Sequence, residues 1–309
     1  MHPGIRKIAE KWLEDDERRS SLERILSFLI GYVKKHSKFH RLNAIDPYYQ
    51  DIVELLEDRA VRDEFGELYA ELVAWLGSYF YLRGLWDYGL NHLSRAAELT
   101  EQLEIRSGIL WWLATIYVVK GKYDRAMDLY RKSLEIEEKI GDLKGKAATY
   151  HSMANIYVVK GEFDRAMDLY RKSLEIEEKI GDLQGKAATY HEMAYIYRVK
   201  GEYDRAMDLY RKSLEIEEKI GDLKGKSNTL VMLGQLLMTF VEEEKRVKGL
   251  AYIMQGFALL RKIGAAEAKS ASNILKDAIS LVPKSIHSKA MKMLSGEERR
   301  IVEKALRES

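Results

Sequence analysis

The chain has 309 residues, with 51 lysines and arginines, 49 aspartates and glutamates, and no cysteine. The missing cysteine excludes a disulfide framework, thiol catalysis and thiolate metal sites, and the interspersed, nearly balanced charge lacks the basic footprint of a nucleic-acid binder. The longest apolar stretches, 25–33 and 249–260, are shorter than the roughly 20 residues that cross a bilayer. The N-terminus also lacks the apolar run of a secretory signal, so no membrane association and a cytoplasmic location are expected.

Only Pro3, Pro47 and Pro283 interrupt the chain, so long helices are permitted almost everywhere. Helical patterns cover residues 4–15, 20–36 and 47–58, and another runs from 61 toward 82. Residues 1–66 are read as a helical N-terminal bundle. From 67 to 264 the chain becomes repetitive. Residues 141–180 and 181–220 agree at 35 of 40 positions. A partial copy precedes them at 116–140, and another begins at Gly221. Self-similarity at such a period marks a solenoid, with the clear repeats spanning about 103–220.

Each clear unit parses into two helices, about 143–160 and 162–180 in the first full copy. Tyr150, Met153, Ala154 and Tyr157 share a face of the first helix. Phe163, Ala166, Leu169, Tyr170 and Leu174 form the apolar stripe of the second. Gly161 and Gly181 suit left-handed helix ends, and Asp182 suits the cap of the next helix. Asp168 with Lys172, and Glu175 with Lys179, read as ion pairs on a solvated face. Residues 265–280 predict one more helix. Beyond Pro283 two short helices break at Ser295-Gly296, so 265–309 is read as a helical cap.

The residues Tyr150, Met153-Ala154, Tyr157, Gly161, Ala166, Tyr170 and Ser173 resemble the tetratricopeptide repeat. Two departures are the Glu178 in place of the closing proline and the 40-residue period, which resembles a longer-repeat subgroup. Weaker copies flank the clear ones, at Val73, Leu76-Gly77, Phe80, Gly84, Trp86 and Ala96 upstream, and at Leu230, Leu233-Gly234 and Leu237 downstream. In the downstream copy Gly249 and Gly256 stand where the clear repeats have Ala166 and Ser173. Residues 22–99 also resemble, more loosely, the segment that joins the ATPase module to the repeats in STAND regulators. The resemblance implies an all-α right-handed solenoid of about four to five helix hairpins whose first helices line a concave wall.

No catalytic, cofactor or metal constellation emerges. GDLKGKS at 221–227 has three residues, not four, between its first glycine and the Gly-Lys pair, and no strand precedes it, so it is read as a helix junction. His191-Glu192 opens like a zinc-protease motif, but Tyr195 replaces the second histidine. The remaining acidic residues follow the helix-surface pattern.

The five differences between the two full repeats carry the functional signal. Three of them, Ser152/Glu192, Asn155/Tyr195 and Val158/Arg198, recur every three residues along one helix face. With the family geometry, a peptide-binding groove is expected to contain Trp111, Thr115, His151, Asn155, Val158, His191, Tyr195, Arg198 and Gln235. The expected function is a non-enzymatic scaffold for a protein or peptide partner. The alternative is a regulatory sensor arm acting in trans on an ATPase or transcription regulator. The sequence leaves the oligomeric state open.

Overall fold

In a computed structural model, which describes residues 15–37 and 43–307, every regular element is helical. The expected helix at 4–15 lies outside the described residues apart from Asp15. The fold is an all-α solenoid of helix hairpins, preceded by packed N-terminal helices and followed by three further helices. Contacts divide the chain into two compact units, Met1–Ile156 and Tyr157–Ser309.

The first unit contains α1 (Asp15–His36), a 3-10 turn (Asp46–Tyr48), α2 (Tyr49–Glu57), α3 (Arg59–Glu64), α4 (Gly66–Leu82), α5 (Trp86–Leu99), α6 (Leu103–Val119) and α7 (Tyr123–Ile140). The division falls inside α8 (Leu143–Val159). The core of this unit joins Leu26 and Leu29 of α1, Ile52 and Leu56 of α2, and Leu72 and Leu76 of α4, all fully buried. The single helix expected from 61 to 82 is kinked into α3 and α4. Phe65 adopts φ −126° and ψ 38° at the joint, while the bonds Phe65 N–Val61 O and Tyr69 N–Phe65 O persist at 3.0 and 2.9 Å. Gly66 supplies the weak point, being a poor helix former beside a buried aromatic ring.

The second unit contains α9 (Phe163–Ile180), α10 (Leu183–Val199), α11 (Tyr203–Ile220), α12 (Leu223–Met238), α13 (Glu243–Lys262), α14 (Ala268–Ser280), α15 (Lys284–Lys292) and α16 (Gly296–Arg307). Its hairpins repeat one joint. Gly181 and Gly221 end α9 and α11 at φ 69° and 70°, a conformation that a side chain disfavours. Asp182 and Asp222 then accept the N–H of Gly185 and Gly225, at 3.0 and 2.9 Å, and so cap α10 and α12. The downstream hairpin packs backbone on backbone, since a Cβ on Gly249 would stand 2.8 Å from the carbonyl oxygen of Gly234. In the terminal helices, Ser295 and Glu298 form a reciprocal capping box that starts α16.

On the solvated face Asp168 takes the Arg171 guanidinium at 3.0 Å. The charged residues depart from the sequence reading elsewhere, since Glu137, Glu177 and Glu217, expected on the surface, are buried. Ser133 Oγ lies 2.9 Å from the Ser107 carbonyl oxygen and 2.8 Å from Glu137 Oε1, and Thr149 Oγ1 donates to that Oε1 at 3.0 Å. In the second unit, Ser213 Oγ lies 2.8 Å from the Ala187 carbonyl oxygen and 3.1 Å from Glu217 Oε1, to which Thr229 Oγ1 donates at 2.9 Å. A serine hydroxyl has one proton to give. Spent on the carbonyl, it leaves the carboxyl facing a lone pair, and a proton on the carboxyl completes the circuit. Burial agrees, pushing Glu137 and Glu177 up and Glu217 up to about 7.

Two outcomes are expected. Ala154 and Ala194 are fully buried, so Ala194→Leu overpacks its joint and costs roughly 1–3 kcal/mol, read as a lower urea midpoint. Glu217 binds its proton more tightly folded than unfolded. Its contribution is therefore complete below the ordinary carboxyl pKa of 4.5 and lost as pH rises through about 7. Glu217→Gln should stabilise the chain relative to wild type at pH 8, by on the order of 1–3 kcal/mol, and not at pH 4, measured by paired denaturation curves.

Candidate functional site

The first helix of each repeat presents its variable residues at a half-buried level. Trp111, Thr115, His151 and Asn155 in the first unit, and Val158, His191, Tyr195, Arg198 and Gln235 in the second, are all half-buried. The packing residues Met153, Ala154 and Ile156, or Met193, Ala194 and Ile196, alternate with them and face inward. That alternation follows from helical phase, so a residue on the variable face changes without disturbing the joint.

In the first unit Thr115 Oγ1 sits 2.9 Å from the Trp111 carbonyl oxygen and 2.9 Å from the Tyr130 hydroxyl. Trp111 meets Trp112 edge-on at 4.8 Å, and its indole Nε1 is buried without a partner. Trp112 is the ring that closes onto α4, where it occupies the space a Cβ on Gly77 would need. Burial pushes His151 down to about 4, so its imidazole is neutral at physiological pH.

In the second unit the structure brings His191, Tyr195 and Arg198 into one surface with α11 and α12. The Arg198 guanidinium lies over the Tyr195 ring at 5.2 Å. His191 meets Tyr210 edge-on at 5.4 Å and hydrogen-bonds Thr229 Oγ1 through Nδ1 at 2.8 Å. Burial pushes His191 down to about 4 and pushes Glu192 up. Both side chains keep some exposed surface, and both line an open cavity of about 230 Å³. Gln184, His191, Glu192, Glu217, Asp222 and Asn228 supply its polar wall.

Of these six, only His191 is among the expected groove residues, and Asp222 is read from the sequence as part of a helix junction. Gln184 and Glu192 were visible as differences between the repeats, and the spacing 184, 188, 191, 192 places them on one helix face. Glu217 carried no such signal, because its identical copies Glu137 and Glu177 read as surface residues. Asn228 stands where the preceding copies have Ala148 and Ala188.

The GDLKGKS turn has its own closed geometry. Asp222 accepts the Gly225 N–H, and Lys226 Nζ pairs with Glu218 at 2.7 Å. Among the described residues no group of three or more histidine, aspartate or glutamate side chains is placed to hold a metal ion, and no helix is long and apolar enough to cross a membrane.

Family models of the tetratricopeptide repeat match residues 105–179 and 187–222. The chain carries tetratricopeptide repeats. No curated protein matches it in sequence. Among solved structures it is similar to a Rap protein complexed with competence and sporulation factor, at 14% identity over 98% of this chain and 93% of that one, with a TM-score of 0.60. It is likewise similar to the Rap conjugation gene regulator of the plasmid pLS20 in complex with the Phr* peptide, at 15% identity over 91% and 85% of the two chains, also with a TM-score of 0.60. The apo form of RapI aligns at 18% identity over 85% of this chain and 99% of that one, with a TM-score of 0.57. At these identities the likeness establishes a shared tetratricopeptide-repeat fold.

The cap of α12 is directly testable. Asp222→Ala removes the acceptor of the Gly225 N–H and is expected to cost about 0.5–2 kcal/mol in urea denaturation.

Proposed function

We propose that the chain is a non-enzymatic scaffold that binds a protein or peptide on the first-helix face of its tetratricopeptide repeats. The observation that carries this is the variation between two nearly identical repeats. Three of their five differences fall on the half-buried face of the first helix, while the inward-facing residues of that helix are the same in both. In the second unit that face carries a stacked tyrosine–arginine pair beside a neutral histidine. Tyrosine and arginine are the side chains most often found at binding hot spots, because each combines a large rigid contact area with a polar end. The peptide and factor bound by the two Rap structures support the same reading, since those chains share this fold over most of their length.

A second reading, a regulatory arm acting in trans, draws on the resemblance of residues 22–99 to the segment that precedes the repeats in STAND regulators. It uses the same binding face and differs in what the partner does.

The test is a peptide-display selection on the full chain, followed by calorimetric titration of the enriched peptides. Tyr195→Ala with Arg198→Ala is expected to weaken binding by more than about 2 kcal/mol, roughly 30-fold, with an unchanged urea midpoint. Changing Lys172 and Lys179 on the second-helix face should leave affinity intact. Loss of binding in the lysine pair, with retention in the tyrosine–arginine pair, moves the binding face to the other side of the repeats and overturns the proposal.

A further inference from the structure

We propose that the cavity formed by α10, α11 and α12 receives an alkylammonium or guanidinium group, presented as a lysine or arginine side chain of a peptide or as a free small amine. The inference rests on the peptide-binding reading for the role of this face, and it deepens that reading by naming the chemistry the partner carries.

The hydrogen-bond directions around the cavity are set by counting protons. Thr229 Oγ1 gives its single proton to Glu217 Oε1 at 2.9 Å. Thr229 Oγ1 then has no proton left for His191 Nδ1, 2.8 Å away, so the ring nitrogen is the donor in that bond. The ring is held neutral by burial, so its Nε2 bears no proton and acts as an acceptor. Glu192 adds a carboxyl group to the same wall. Glu217 lines the cavity with only 4% of its surface exposed, and its second oxygen, Oε2, is buried without a partner, as are those of Glu137 and Glu177. The site is thus rich in acceptors, and Gln184 and Asn228 contribute amide carbonyls that accept as well.

Three lysines on these helices pair with other carboxylates, and Lys226 also acts electrostatically on Glu217. Lys186 pairs with Glu178 at 2.7 Å, Lys226 with Glu218 at 2.7 Å, and Lys224 with Glu267 at 2.6 Å. Among the described residues no lysine or arginine pairs with Glu192 or Glu217. Asp222, the remaining acidic group on the wall, is occupied in capping α12.

The repeat comparison gives an independent argument. The preceding repeat has Lys144 and Ser152 where this one has Gln184 and Glu192, and it is followed by Ala188 where this one is followed by Asn228. Those three differences remove a cation, add a carboxyl and add an amide. Two of the five positions at which the full repeats differ therefore lie on this cavity wall and shift its charge in one direction. Size points to a small group. Sites for drug-sized ligands span about 300–1,000 Å³, and a volume of about 230 Å³ suits the end of one side chain.

The experiment is a nuclear magnetic resonance titration of the full chain, following the side-chain amide resonances of Gln184 and Asn228. The probes are agmatine, N-acetyl-argininamide, N-acetyl-lysinamide and the neutral isostere N-acetyl-citrullinamide. Saturable shifts are expected with the cationic probes and at least tenfold weaker binding with the citrulline probe. Preference for agmatine identifies a free amine as the source, and preference for the capped amino acids identifies a peptide side chain. Gln184→Lys with Glu192→Ser restores the residues of the preceding repeat and is expected to lose at least tenfold in affinity. Glu192→Gln provides an isosteric second variant with the same expected direction. Equal binding of the citrulline probe, undiminished affinity in the variants, or no saturable shift with any cation overturns the proposal. If display-selected peptides still bind when no cationic probe does, the cavity assignment fails and the peptide-binding reading stands. If agmatine binds and no peptide is ever selected, the cavity assignment stands and the peptide reading fails.

Discussion

A buried carboxyl at the end of each second helix holds the repeat together. In the first unit Glu137 of α7 accepts from Thr149 of α8, and its neighbour Ser133 reaches the Ser107 carbonyl of α6. In the second unit Glu217, Ser213, Thr229 and the Ala187 carbonyl tie α10, α11 and α12 in the same way. Three consecutive helices meet at one polar knot inside an otherwise apolar joint. Apolar packing between helices tolerates sliding, whereas a hydrogen-bonded buried network favours one register, because a shift strands further desolvated polar atoms. Burial raises the pKa of these carboxyls, so protonation relieves part of what burying the charged form costs.

With the register set there, the first helix is free to carry variation. Its inward residues, Met193, Ala194 and Ile196 in the second unit, are buried and identical to those of the repeat before it. The small alanine lets the neighbouring helix approach closely, and the methionine fills what remains. His191, Tyr195 and Arg198 lie on the other phase of the same helix. Tyr195 and Arg198 interact with one another, and His191 reaches the buried Tyr210 and Thr229 of the joint.

Knot and cavity nevertheless share atoms. Glu217 is both the acceptor that fixes α12 against α11 and a wall of the cavity. Thr229 links it to His191, so the direction of that hydrogen bond follows from a contact whose first role is structural, while burial keeps the ring neutral. A recognition surface built this way is preorganised, because its polar groups are held by the same bonds that hold the fold.

The amino-acid sequence by itself determined the repeat, its period, the two helices of each unit, the glycine turns and the aspartate caps. These are local properties, readable from spacing and from the conformational demands of single residues such as Gly181 and Asp182. It also exposed the variable face at Tyr195 and Arg198, because two near-identical copies act as their own alignment. The kink at Phe65 was partly legible in Gly66, yet the depth of the core that receives the ring was not. Tertiary structure alone decided that Glu217 is buried and that it meets Glu192, His191 and Asn228 around one cavity. On a single helix Glu217 follows the charged pattern of a solvated face. Its environment comes from neighbouring helices, with His191 and Glu192 on α10 and Asn228 and Thr229 on α12 each at least eleven residues away, and no helical periodicity encodes what a neighbouring helix brings to the same point.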